Sequence, residues 1–112
     1  MFDMLYLVSL GLFDEKDISM RGADAIKKCS RIFIETYTSS IKINFQALEK
    51  IAGKKIDLLD RKGVEESGAI LESSKSCDTA FIVPGDALSA TTHQQIVFDA
   101  RKVGILVEII HS

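Results

Sequence analysis

No apolar run in this sequence approaches the roughly 20 residues that a membrane-spanning helix requires; stretches such as MLYLV at residues 4–8 fall far short. The opening residues carry Asp3 and no basic region, so no secretory signal is expected. Cysteine is scarce. Cys29 and Cys77 have no third or fourth metal ligand nearby in sequence, which argues against a zinc site or a disulfide framework. Cys29 falls among apolar positions at a helix end and reads as a buried structural thiol. Neither sign of charge dominates: 14 Lys+Arg stand against 16 Asp+Glu, a net charge of -2, with no basic footprint for nucleic acid or an anionic membrane. Glycine patterning is missing too. Gly11 stands alone, with neither G-x-G-x-x-G nor G-x-x-x-x-G-K-[ST], so dinucleotide or ATP binding by those routes is disfavoured. The address expected from these exclusions is the cytoplasm.

What is present is a single small domain's worth of chain, 112 residues with 46% hydrophobic and 27% charged. Short β-branched runs alternate with helical stretches, the pattern of βαβ units. Strands are predicted at 4–10, 31–35, 56–59, 79–83 and 106–110. The near-continuous apolar character of the first suits a strand covered on both faces. Ser19 is the expected N-cap of a helix from 20 to about 28, whose Lys27-Lys28 pair favours the negative helix end. A second helix is predicted over 44–52, with Gly53 as its stop. A third is predicted from Asp60 to about 74, with a thin apolar face of Val64, Ala69 and Leu71. In the fourth, Thr92 and Gln95 have capping-box spacing, Ile96, Val97, Ala100 and Val103 share a face, and Gly104 ends it. The fold class is therefore α/β: an open five-stranded, mainly parallel sheet flanked by about four helices.

Two segments at strand carboxyl ends hold the candidate chemistry, because ligands of open α/β sheets bind beyond those ends. They are SLGLFD at 9–14 and PGDALSATTH at 84–93, the latter leading into a helix N-terminus whose amides can donate to an oxygen-rich ligand. Asp86 can accept from a ribose or hold a cationic group; equally, Gly85-Asp86 is an ordinary turn after a strand. His93, in the first helical turn, is expected as a neutral imidazole with a local hydrogen-bonding role. Glu35 and Asp86 both fall near strand ends and form a conceivable carboxylate pair, and Tyr37, Thr38, Ser39 and Ser40 add hydroxyls. No Ser or Cys nucleophile accompanies a base, so covalent catalysis is unsupported.

Four segments in order carry a resemblance: LYLVSLGL at 5–12, DISMRG at 17–22, ETYTS at 35–39 and GDALSATTH at 85–93. Together they resemble the diphthine synthase family within the tetrapyrrole-methylase-like superfamily. That resemblance implies the amino-terminal domain of this fold over residues 1–112, with a carboxyl-terminal domain absent from the chain. It implies methyl transfer from S-adenosylmethionine to a modified histidine of translation elongation factor two, in diphthamide biosynthesis, by a cytoplasmic homodimer. It implies cofactor contacts at Leu12, Asp86 and Ser89, no metal, and no direct contact with nucleic acid or membrane. Ser9 stands where the family usually has glycine, and Ala87 where it usually has proline; the latter leaves that loop less preorganised. With one wall of the cleft present, these residues alone are expected to bind cofactor weakly and to be inactive. Two other readings stay open: a superfamily member acting on a corrin or ribosomal RNA, and a non-catalytic structural or dimerising module.

Overall fold

A computed structural model describes residues 4–10, 18–35, 45–60, 68–83 and 91–111, with the backbone alone at 45 and 91–93. Among them are five strands and four helices in alternation. They are β1 (Met4–Ser9), α1 (Met20–Lys28), β2 (Arg31–Glu35), α2 (Phe45–Ala52), β3 (Asp57–Leu59), α3 (Gly68–Ser76), β4 (Thr79–Val83), α4 (Thr91–Lys102) and β5 (Leu106–Ile110). The strands form one parallel sheet in the order β3-β2-β4-β1-β5. The central register sets Leu7 opposite both Phe81 of β4 and Ile109 of β5. The expected α/β class, strand number and helix number hold, and the sheet is parallel throughout.

Alternation along each strand divides the core into two layers. Tyr6 and Val8 of β1, Leu10 just after it, Ile32 and Ile34 of β2, and Ala80 and Ile82 of β4 pack with Ala25 and Ile26 of α1 and Leu48 and Ala52 of α2. Leu5, Leu7, Phe33, Phe81 and Val83 face the other way, onto Ile70 of α3 and Ile96, Val97 and Ala100 of α4. Two faces are thus buried, which explains why β1 and β4 read as unbroken apolar runs. The distribution also follows from right-handed crossovers. Connections leading toward β3 put α1 and α2 on one face, and those leading back toward β5 put α3 and α4 on the other.

The helix ends follow their local chemistry. Ser19 is extended (φ -70, ψ 162) and its Oγ accepts from the Gly22 amide at 3.0 Å, as the N-cap expectation requires. Gly53 and Gly104 adopt φ +74 and +91, the left-handed conformation of a C-terminal stop. At Gly104 the motif is complete: its amide donates to the Arg101 carbonyl at 3.1 Å and that of Ile105 to Ala100 at 2.9 Å.

Three expectations are corrected. In α3 the buried side chains are Ile70, Ser73 and Ser74, while Ala69 is exposed and Leu71 half-buried; Val64 lies outside the described residues. Serine can line this face because its hydroxyl is satisfied locally: Ser74 Oγ donates to the Ile70 carbonyl at 2.8 Å. In α4 the helix already includes Thr91, so Thr92 is not the N-cap, and the Gln95 side chain donates to Asp99 at 2.9 Å instead of closing a capping box. Val103 does not join Ile96, Val97 and Ala100, because it lies past the end of α4 and is exposed.

Candidate functional site

The strand order creates one place where adjacent strands send their connections in opposite directions. β1 and β4 are neighbours, yet the chain after β1 crosses β4 to reach β2, whereas the chain after β4 crosses β1 to reach β5. Beyond the carboxyl ends of such a pair the two connections part and leave a crevice between them, the usual ligand site of open α/β sheets. The strands stay paired up to that point: the Leu10 amide donates to the Val83 carbonyl at 2.9 Å. The segments singled out by sequence, 9–14 and 84–93, are therefore the two that issue from this point. Leu12, Asp86 and Ser89 themselves lie outside the described residues, as do Gly11, Gly85, Ala87 and the hydroxyl residues 37–40. His93 is in the first turn of α4, and its side chain is outside the described residues.

Next to the carboxyl end of β1 lies the start of α1. The capped first turn of α1 sits so close to β1 that a Cβ on Gly22 would stand 2.9 Å from Val8 Cγ1 and 3.0 Å from Ile18 Cγ1. Real Cβ atoms do not approach that closely, so only glycine allows this helix–strand distance. Sequence reasoning quoted Gly22 within a motif and assigned it no role. The available signal was the position itself: glycine in a helix interior costs about 0.5–1 kcal/mol relative to alanine, and close packing is a reason to keep it.

Glu35 closes β2 at the same edge. It pairs with Leu59 of β3, and the β2–β4 register carries it alongside Val83, which in turn is opposite Ser9 of β1. Glu35 and Ser9 are both at 0% exposure. By the alternation of the strand, Glu35 shares the α3/α4 face with Phe33. Two buried polar side chains thus flank Val83, the residue from which 84–90 departs. The separation of Glu35 from Asp86 is undefined, so the structure gives no support to a carboxylate-pair hydrolase.

Other features lie away from this edge. Burial pushes the Cys29 thiol up to about 12, with the nearby Asp78 carboxylate adding to the effect. Cys29 sits before β2 at the opposite end of the sheet and is fully buried, as the structural-thiol reading expects. Among the described residues, no cluster of three His, Cys, Asp or Glu side chains is placed to hold a metal, and no helix is long and apolar enough to cross a membrane. Open grooves run along the outer side of α4 at Phe98 and Arg101, between α1 and β5 at Arg21 and Glu108, and beneath α3 at Ser73 and Cys77.

Residues 4–111 match the family described as Tetrapyrrole (Corrin/Porphyrin) Methylases. Over 110 residues the chain is 47% identical to the diphthine methyl ester synthase of Schizosaccharomyces pombe, covering 97% of this chain and 39% of that protein. Against the diphthine methyl ester synthase of Homo sapiens it is 44% identical over 110 residues, with the same coverage of 97% and 39%. A crystal structure of diphthine synthase superposes with a TM-score of 0.92 at 37% identity, covering 98% of this chain and 44% of that one. The chain thus spans about two fifths of the length of these curated relatives.

Proposed function

The chain belongs to the tetrapyrrole (corrin/porphyrin) methylases, and from that premise we propose that it is the amino-terminal α/β domain of an S-adenosylmethionine-dependent methyltransferase of diphthamide biosynthesis. The observation that carries the proposal is the similarity over 110 residues to diphthine methyl ester synthases, joined to a switch point from which both cofactor-type segments issue. The substrate is the modified histidine of translation elongation factor two. The relatives' names specify a methyl ester, so the acceptor includes a carboxylate oxygen. The enzyme acts in the cytoplasm as a homodimer, and a carboxyl-terminal domain supplies the opposing wall of the cleft.

The residues present fit such a cofactor. Its amino-acid and ribose groups need hydrogen-bonding partners, its adenine an apolar surface, and its sulfonium a site near negative charge. By the family resemblance, Leu12, Asp86 and Ser89 would offer these. Leu12 gives apolar contact, the Asp86 carboxylate accepts from hydroxyl or ammonium groups, and the Ser89 hydroxyl donates or accepts. Gly22 allows α1 to pack tightly against β1 near the strand's carboxyl end. When bound, S-adenosylmethionine supplies an electrophilic methyl group on a positively charged sulfur. The protein's task is then alignment and exclusion of water, and proximity of this kind accounts for much of the rate without a covalent intermediate.

The test is methyl transfer by the full-length protein to elongation factor two that carries the unmethylated histidine precursor. Radiolabel from S-adenosylmethionine is expected on that factor, part of it released by mild base as an ester is. Absence of label there, with transfer to a corrin precursor instead, overturns the assignment of substrate and leaves the family standing.

A further inference from the structure

A methyltransferase that acts on a protein has to hold a body larger than the reacting side chain, so part of its binding energy comes from surface beyond the crevice. The element placed to supply it is α4. This helix starts where the 84–90 segment arrives from the switch point, and Gln94, Phe98, Arg101 and Lys102 follow one another along its outer side at the spacing of one helix face. With Val97 they line an open groove of about 510 Å³. Along the helix axis Gln94 is roughly 5 Å and Arg101 roughly 15 Å from the start of α4. Composition sets the groove apart. Of the described aromatic rings, Tyr6, Phe33 and Phe81 are buried, whereas Phe98 is 61% exposed. Arg21 and Arg31 each hold a carboxylate at 2.8 Å, whereas among the described residues Arg101 and Lys102 have no ion-pair partner. The carboxylate within α4, Asp99, already accepts from the Gln95 side chain at 2.9 Å. The last turn of a helix favours cations, which explains where these two stand but leaves their donors facing solvent.

We infer that the outer face of α4 docks the protein substrate, taking an acidic patch of its surface that also presents an apolar side chain. The apolar group packs on Phe98 and Val97, and carboxylates pair with Arg101 and Lys102. This rests on the protein-substrate reading above and extends it from the reacting histidine to the surface around it. A lone exposed apolar side chain is ordinary. An aromatic ring flanked by unpaired cations along one groove is different, because aromatic residues and Arg are the ones enriched where proteins bind one another. The sign of the partner's charge follows from the same residues. The chain carries a net charge of -2, so a cationic strip on α4 orients an acidic surface that the rest of the molecule does not attract. Exposed charges of this kind are screened by salt, so the docking weakens as ionic strength rises.

Steady-state methyl transfer by the full-length protein to elongation factor two carrying the unmethylated histidine precursor reads this. Reversing both charges, Arg101→Glu with Lys102→Glu, is expected to raise KM for the factor about tenfold, and Phe98→Ala about fivefold. The maximal rate and the calorimetric affinity for S-adenosylmethionine should stay within about twofold of wild type. Arg101→Lys with Lys102→Arg keeps the charge and should keep most of the wild-type KM. Wild-type KM should rise with salt, and that dependence should flatten in the charge-reversed variant. An unchanged KM, or a loss of S-adenosylmethionine affinity that accounts for the change, overturns the inference while the substrate reading survives. So does dissociation of a wild-type dimer by these substitutions on sedimentation, which would assign the face to a second copy. Absence of any transfer to the factor by the wild-type protein overturns the substrate reading and the inference with it. Should the charge-reversed variant fail to fold, hydroxyl-radical footprinting of the wild-type protein decides. Phe98 is expected to be oxidised readily in the free protein and protected when the factor is added. A Phe98 already protected in the free protein lies against the rest of the chain or a second copy and overturns the inference, as does one that the factor leaves exposed.

Discussion

At the amino end of the sheet Asp78 joins three strands: its Oδ1 accepts from the Met4 amide at 3.0 Å, and its carbonyl accepts from Ser30 at 2.9 Å and Arg31 at 3.4 Å. Around it Ser73 and Thr79 share a bond at 2.7 Å, Arg31 pairs with Asp57 of β3 at 2.8 Å, and Lys54 Nζ covers the last carbonyls of α1 at Lys27 and Cys29. At the carboxyl end two polar side chains, Ser9 and Glu35, are buried where the segments 11–17, 36–44 and 84–90 depart. The first end spends its polar groups on holding strands in register. The second sets buried polarity beside the crevice in which ligands of this architecture bind. Stability and function therefore draw on different ends of the same strands, and substitutions at each should separate the two.

The largest effect is expected at the amino end. Thr79→Val removes a buried hydroxyl bonded to Ser73 Oγ at 2.7 Å and to the Cys77 carbonyl at 3.1 Å, and leaves the Ser73 hydroxyl only the weak Cys77 Sγ contact at 3.7 Å. A buried group deprived of its partner costs about 1–3 kcal/mol. Denaturant unfolding should register that loss, and adding Ser73→Ala should return part of it. S-adenosylmethionine affinity of the full-length protein should stay within twofold. A variant that loses affinity in step with stability would break the division between the ends.

Much of this frame was legible in the residues, for a physical reason that differs by element. The bounds of α1, β2, β4 and β5 follow from signals that act within one turn or one strand: Ser19 as cap, Gly104 as stop, and β-branched runs between them. The face of α3 was misread because its buried side includes two serines, and hydrogen bonds to Ile70 and Thr79 that hide their polarity are invisible in a sequence. Val103 was misread because periodicity on paper runs up to Gly104, whereas the helix already ends at Lys102. At the site, composition located the two segments but not their convergence, which depends on strand order. The role of Gly22 is likewise a property of packing between elements, here α1 against β1.

A smaller effect, at the other end, comes from Gly22→Ala. The new Cβ meets Val8 and Ile18 at 2.9 and 3.0 Å, and overpacking of this kind costs about 1–3 kcal/mol. Alanine returns up to about 1 kcal/mol in helix propensity, so a net loss of about 1–2 kcal/mol is expected. Because the clash falls on Val8, near the carboxyl end of β1 from which the 9–14 segment issues, this variant should also weaken S-adenosylmethionine binding in the full-length protein, as Thr79→Val does not. Truncating the obstacle is the control: Val8→Ala should cost less in the Gly22→Ala background than alone, and equal costs would show that the helix simply moves away.

The smallest effect at ordinary pH belongs to Cys29, and it grows with alkali. Burial raises this thiol from about 9 to about 12, so the folded chain holds its proton more tightly than the unfolded chain does. Below pH 9 both states keep the proton and the thiol adds no pH dependence. Between roughly pH 9 and 12 the unfolded chain sheds a proton that the folded chain retains, and stability falls as pH rises, with a limiting slope of about 1.4 kcal/mol per pH unit. At pH 10 the expected loss is about 1.4 kcal/mol, and Cys29→Ala should remove that part of the decline. The same burial makes a kinetic prediction. Iodoacetamide at pH 8 should label the half-buried Cys77 well before Cys29, as mass spectrometry of the labelled peptides would report. Rapid labelling of Cys29 in the folded protein would mean that the amino end opens readily, and the scaffold role assigned to it would fail there first.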